Sequence, residues 1–165
     1  MYANAVQSCS ERALQPTSDH RARASTTVVE TDSAEQTEAL GAELAAALRA
    51  GDVVLLRGDL GAGKTTLARG IARAFGVAGP VTSPTFTIGH RYEGDGAVIA
   101  HIDLYRLGAL AGEEPGLLED YLADREIALV EWPEGAGGEL PRATMAVTLA
   151  HAGGDRRRVE MEDLR

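Results

Sequence analysis

The sequence predicts an α/β domain, with a mostly parallel central sheet and helices on both faces. Three observations carry this. Short, continuous apolar runs at 53–56, 97–103 and 127–131 read as buried strands. Stretches at 34–50, 65–75 and 113–126 carry helical patterning between them. The glycine-rich stretch Gly58-Asp59-Leu60-Gly61-Ala62-Gly63-Lys64-Thr65-Thr66 joins the first strand directly to the second helix. A strand, a glycine loop and a helix in that order form one unit of a sheet whose ligands bind at the carboxyl ends of its strands.

Taken in order, residues 1–26 are polar and show no apolar period, so they read as a disordered tail before a single domain at 27–165. An Arg/Ser-rich targeting peptide is the sharper reading, but Glu11, Asp19 and the missing amphipathic stripe argue against it. Residues 26–30 form a short strand. Asp32 or Ser33 then caps a helix, with Gln36 placed as the capping-box partner of Ser33. Leu40, Leu44 and Leu48 recur every four residues along one face, and Gly51 ends the helix. Strand 53–56, the glycine loop and helix 65–75 follow. Pro80 and Pro84 mark a loop that leads into a strand at about 85–92, and Gly94-Asp95-Gly96 is a turn. Strand 97–103 ends at Asp103. Segment 113–126 holds six acidic residues against one basic, with Leu117, Leu118, Tyr121 and Leu122 as an apolar stripe, and reads as an acidic amphipathic helix. Strand 127–131 ends at Glu131. Strands 143–150 and 156–160, joined by a glycine turn at 153–154, close the chain.

The glycine loop has the form G-x-x-x-x-G-K-T, the P-loop or Walker A signature. Its glycines let several backbone N–H groups point at one centre where a helix begins, which makes an anion cradle. Lys64 reaches the β- and γ-phosphates of a nucleotide, and Thr65 offers its hydroxyl to Mg²⁺. Of 16 basic residues Lys64 is the only lysine, and it stands where a compact point charge is wanted rather than a planar fork. Asp103 and Glu131 each sit where an apolar strand stops. If both strands run parallel to 53–56, both carboxylates lie beside the loop, within reach of Mg²⁺ or its water shell, and either fills the Walker B part. The loop Ser83-Pro84-Thr85-Phe86-Thr87 is placed as a switch segment that touches the γ-phosphate or the metal, or else is a rigid proline turn. His101 reads as a buried, hydrogen-bonded histidine. Trp132 either stacks at the site or plugs the core edge. Arg156-Arg157-Arg158 reads as a solvated hairpin, with phosphate or RNA contact as the alternative.

Composition narrows the partners. A formal net charge of −9 and a pI near 4.9 disfavour a direct hold on nucleic acid. Cys9 is the only cysteine, which excludes an internal disulfide and a multi-cysteine zinc site. No apolar run approaches a membrane span, so the expectation is a soluble, cytoplasmic chain.

The motifs G-D-L-G-A-G-K-T-T, S-P-T-F-T, H-I-D-L-Y-R and E-W-P-E, in that order and spacing, resemble the bacterial TsaE (YjeE) proteins over about residues 29–162. The resemblance implies a P-loop NTPase-like fold and a small ATPase needed for threonylcarbamoyladenosine formation at position 37 of tRNAs that read ANN codons. It implies ATP on Asp59, Leu60, Gly61, Ala62, Gly63, Lys64, Thr65 and Thr66, with Mg²⁺ on Thr65 and Glu131. Asp103 is implied as the Walker B-like acid and a metal ligand, and residues 83–87, with Thr85, as switch I. Ser33 and Thr37 are implied near the adenine, and Trp132 in the motif required for activity. The implied partners are TsaD and TsaB, the synthase pair that transfers the threonylcarbamoyl group, with tRNA met only indirectly. A P-loop small-molecule kinase or a nucleotide-binding adaptor without turnover is the alternative. A GTPase is excluded, because Asn-Lys-x-Asp needs a second lysine.

Overall fold

The computed structural model describes residues 25–84, 87–105, 118, 121–122, 124–136, 140 and 143–165. In chain order its elements are β1 (Thr26–Thr31), α1 (Ala34–Ala45), β2 (Val53–Arg57), α2 (Lys64–Ala74), β3 (Gly89–Glu93), β4 (Val98–Asp103), β5 (Glu126–Glu131), a 3-10 turn at Pro133–Ala136, β6 (Met145–His151) and β7 (Arg157–Asp163). The strands form one seven-stranded sheet in the order β1-β7-β6-β2-β5-β4-β3.

The sheet is mixed, which corrects the expectation of a mostly parallel one. The pairings β6–β2, β2–β5 and β5–β4 are parallel. The pairings β1–β7, β7–β6 and β4–β3 are antiparallel and hold more of the paired residues. The reason lies in the turns. A connection as short as 94–97, closed by Gly94 N–H to Ala97 O at 2.9 Å, permits only a hairpin, and so does the turn at Gly153 and Gly154, whose φ values are 96° and 56°. Buried apolar runs identified the central strands, and short turns decided the flanks.

Strand alternation divides the core between two faces. Val54, Leu56, Ile99, Leu129 and Val147 face Leu40 of α1 and Leu67 and Ile71 of α2. Val53, Leu55, Ile102, Val130 and Ala146 face the other way, beneath Leu104, Leu118 and Ala136, with Tyr121, Leu122 and Trp132 packed at the margin. Both α-helices among the described residues therefore lie on one face. The expected acidic helix lies largely outside the described residues; Leu118 is buried and Tyr121 N–H bonds Leu118 O at 3.0 Å.

α1 starts as the sequence predicts. Ser33 is its N-cap, accepting from Gln36 N–H at 3.3 Å, and the Gln36 side chain accepts from Asp32 N–H at 2.7 Å. It ends six residues before Gly51. From Ala46 to Leu48 the chain tightens into three-residue turns, which keeps Leu48 buried without extending the helix. α1 and α2 cross closely because Gly41 and Gly70 have no side chains there: a Cβ on Gly70 would strike the Glu38 carbonyl, and one on Gly41 the Leu67 carbonyl. That crossing sets the start of α1 beside the glycine loop.

Candidate active site

β2 is buried along its apolar length and delivers the chain to the loop in the middle of the sheet. Gly58 takes φ 133° and lies against the Leu149 carbonyl, where any Cβ would collide. Gly63, at φ 103°, caps α2 with no side-chain hydrogen bond, so no capping side chain serves the first amides of that helix. Lys64 opens α2 and is only 4% exposed. Its ammonium donates to Gly58 O at 2.7 Å and Asp59 O at 2.9 Å, and lies 3.9 Å from the centroid of a Trp132 ring. Burial pulls the Lys64 ammonium below the usual lysine range. The negative field of Glu131, Asp103, Asp59 and Glu134 opposes that pull. Four acids therefore share one buried cation.

The carboxylates lie where the sequence places them. β4 and β5 run parallel with Asp103 opposite Glu131, and Glu131 is also opposite Leu56 of β2. Their environments differ. Glu131 is buried, and its Oε1 accepts from the Thr65 hydroxyl at 2.8 Å and contacts His101 Nε2 at 2.8 Å. Asp103 accepts from the Ser83 hydroxyl at 2.6 Å and from Tyr105 N–H at 3.0 Å, so it is tied to the loop before β3. Trp132 follows Glu131 with φ 56°, the one non-glycine residue at positive φ among the described residues. A bulky side chain in that region costs about 1–3 kcal/mol. The turn brings its rings 4.9 Å from Tyr105 on one side and onto Lys64 on the other. Trp132 therefore stacks at the site.

A cleft of about 260 Å³ opens on the other flank of the loop, lined by Ser33, Ala34, Glu35, Thr37, Gly61, Gly63, Thr66, Asp155 and Arg157. Ser33, Thr37, Gly61, Gly63 and Thr66 thus share one wall system. Asp59 contributes its carbonyl, Ala62 is fully buried, and Leu60 stands 76% exposed at the loop tip, outside the lining. Thr85 lies outside the described residues. Sequence reasoning missed Arg157. Its Nε donates to Ala62 O at 3.1 Å and its Nη2 to Gly61 O at 3.4 Å, so the hairpin arginine braces the glycine loop. The run of three arginines was the available signal, but the pairing of β7 with β6 is what aims the middle one inward. Among the described residues no group of three or more His, Cys, Asp or Glu gathers as a metal centre, and no helix is long and apolar enough to cross a membrane.

A mixed sheet, a glycine loop capping a helix and paired strand-end carboxylates define an α/β protein with a candidate site at the carboxyl ends of its parallel strands. Residues 31–159 match the family described as threonylcarbamoyl adenosine biosynthesis protein TsaE. The chain is 46% identical over 118 residues to a tRNA threonylcarbamoyladenosine biosynthesis protein TsaE of Streptomyces coelicolor, covering 70% of this chain and 80% of that one. It is 38% identical over 125 residues to the Bacillus subtilis TsaE, covering 76% and 78%. The crystal structure of Bacillus subtilis YdiB superposes with a TM-score of 0.73 at 31% identity, covering 86% of this chain and 88% of that one. The chain belongs to the TsaE family of tRNA threonylcarbamoyladenosine biosynthesis.

Proposed function

We propose that this chain is a P-loop ATPase of that pathway, binding ATP with Mg²⁺ and hydrolysing it, and that it acts on the TsaB–TsaD synthase pair to reset it between turnovers rather than transferring the threonylcarbamoyl group. One observation carries the reading: a buried lysine, the Thr65 hydroxyl and a strand-end carboxylate come together at the uncapped start of α2.

The residues fit the groups they would hold. Uncapped amides at a helix start suit a phosphate chain, and the polar cleft beside Ser33 and Thr37 suits the base and ribose. Thr65 Oγ1 with Glu131 and Asp103 is a hard-oxygen set, and Mg²⁺ commonly takes one or two carboxylates while keeping water and phosphate oxygens. When bound, the ion would offset phosphate charge. Lys64 would hold the β- and γ-phosphates, exchanging its two loop carbonyls for phosphate oxygens. Glu131 would hold Thr65 oriented, and Asp103, through Ser83, would tie the 83–87 loop to the strand ends. The remaining work is to order an attacking water, a part that Asp103 or Glu131 would take.

The test is ATP hydrolysis measured with and without the TsaB–TsaD pair. Release of phosphate to water that rises with the pair supports the proposal. Label moved to a small acceptor instead identifies a kinase, and binding without release under any condition identifies an adaptor.

A further inference from the structure

We infer that His101 is a positioning residue that fixes the Glu131 carboxylate; this rests on the reading of Glu131 as a working acid of the site. His101 lies in the middle of β4 and is fully buried, and its Nε2 is 2.8 Å from Glu131 Oε1. Thr65 donates to that same oxygen at 2.8 Å. Two protein groups thus converge on Oε1, while among the described residues Oε2 takes no hydrogen bond. A carboxylate held by one oxygen from two directions cannot swivel, and its second oxygen is kept in one orientation.

His101 Nδ1 is the one buried side-chain polar atom without a partner among the described residues. A carboxylate oxygen accepts, so Nε2 carries the hydrogen and the contact is a directed hydrogen bond. His101 is opposite Leu129 in the β4–β5 ladder, two residues before Glu131, so strand register aims the ring along the sheet at the carboxylate. Leu129 fills the matching place on β5 with pure hydrocarbon. A leucine at 101 would suit the same surroundings. A ring with one unsatisfied nitrogen is weaker packing, and the bond to Glu131 is what the sequence keeps in return.

The experiment compares His101→Leu, which keeps apolar volume and loses the donor, with His101→Gln, whose amide nitrogen reaches the Nε2 position. Mg²⁺ is titrated against a fixed ATP concentration while Trp132 fluorescence reports the bound state, and ATPase is measured with the synthase pair. Loss of a group that orients a metal-shell ligand typically costs about 10–100-fold in metal affinity or activity. His101→Leu is expected to raise the Mg²⁺ half-saturation point and lower kcat within that range, with KM for ATP changed about twofold or less, and His101→Gln to recover most of both. Nitrogen-15 spectra of the wild-type ring are expected to show a hydrogen on Nε2, with its proton signal displaced in Glu131→Gln. If His101→Leu unfolds, the glutamine variant and the ring spectra decide. A ring whose Nε2 carries no hydrogen, or a folded leucine variant with unchanged Mg²⁺ response and kcat, overturns the inference while leaving the nucleotide reading intact. A wild-type chain with no response to ATP and Mg²⁺ removes that reading and this one together.

Discussion

Lys64 answers to two opposed demands. Anion recognition wants a full charge close to the ligand, and burial resists that charge. Carbonyls, a tryptophan face and nearby acids hold the ammonium in place meanwhile. A charge pair at about 4 Å in an effective dielectric near 20 is worth about 4 kcal/mol before desolvation. Lys64→Met is therefore expected to weaken ATP binding by about two to three orders of magnitude by calorimetry. The variant's thermal midpoint at neutral pH should be no lower than wild type, because a desolvated charge has been removed. In the wild type the folded chain releases the lysine proton at lower pH than the unfolded chain does. Its burial penalty is full below the lowered folded pKa and shrinks as pH rises from there toward 10.5. The stability difference between variant and wild type should narrow across that window. At this scale the sequence was most legible where chemistry restricts residue choice. A single lysine after a glycine run, and acids at strand ends, admit few readings. His101 was legible as buried but not as the neighbour of Glu131, since that contact crosses from one strand to another thirty residues away.

Between elements, the α1–α2 crossing and the clasp from β7 shape the site. Gly70→Ala would drive a methyl group into the Glu38 carbonyl, so α1 must move or strain. Overpacking of this kind costs about 1–3 kcal/mol, read as a drop of several degrees in the thermal midpoint. It should also weaken ATP, because α1 carries Ser33 and Thr37 to the cleft. Arg157→Ala should leave the fold intact and raise Kd for ATP about ten- to a hundredfold, from the loss of charged hydrogen bonds worth about 1.5–3 kcal/mol. Arg158→Ala is the matched control, since that side chain is exposed and, among the described residues, pairs with Glu160 at 3.6 Å. The capping box of α1 was readable because it is local, with every atom within four residues. The early end of α1 was not, because the competing pull on Leu48 comes from the sheet. Arg157 was obscured for the same reason: a strand's inward side is set by its partner, and the chain around 156–158 shows only charge.

For the molecule as a whole, the parallel centre was legible from apolar runs, and the two flanking hairpins from the glycine turns that join their strands. The place of β1 was not, because its partner β7 lies at a distant point of the chain. Removing residues 1–24 is expected to leave the thermal midpoint and ATP affinity unchanged, measured side by side with the full chain. β1 begins at Thr26 and the family match at residue 31, so a loss of affinity would bring the leading segment into the site. The strand order has a consequence for synthesis. Among the described strands β1 is made earliest and pairs only with β7, the latest. Until β7 leaves the ribosome, β1 has no edge to join and the glycine loop lacks its arginine clasp. The growing chain can gather its centre early, yet the glycine loop is fastened only once β7 arrives, and a chain stopped before Arg157 would be a sheet with its first strand adrift.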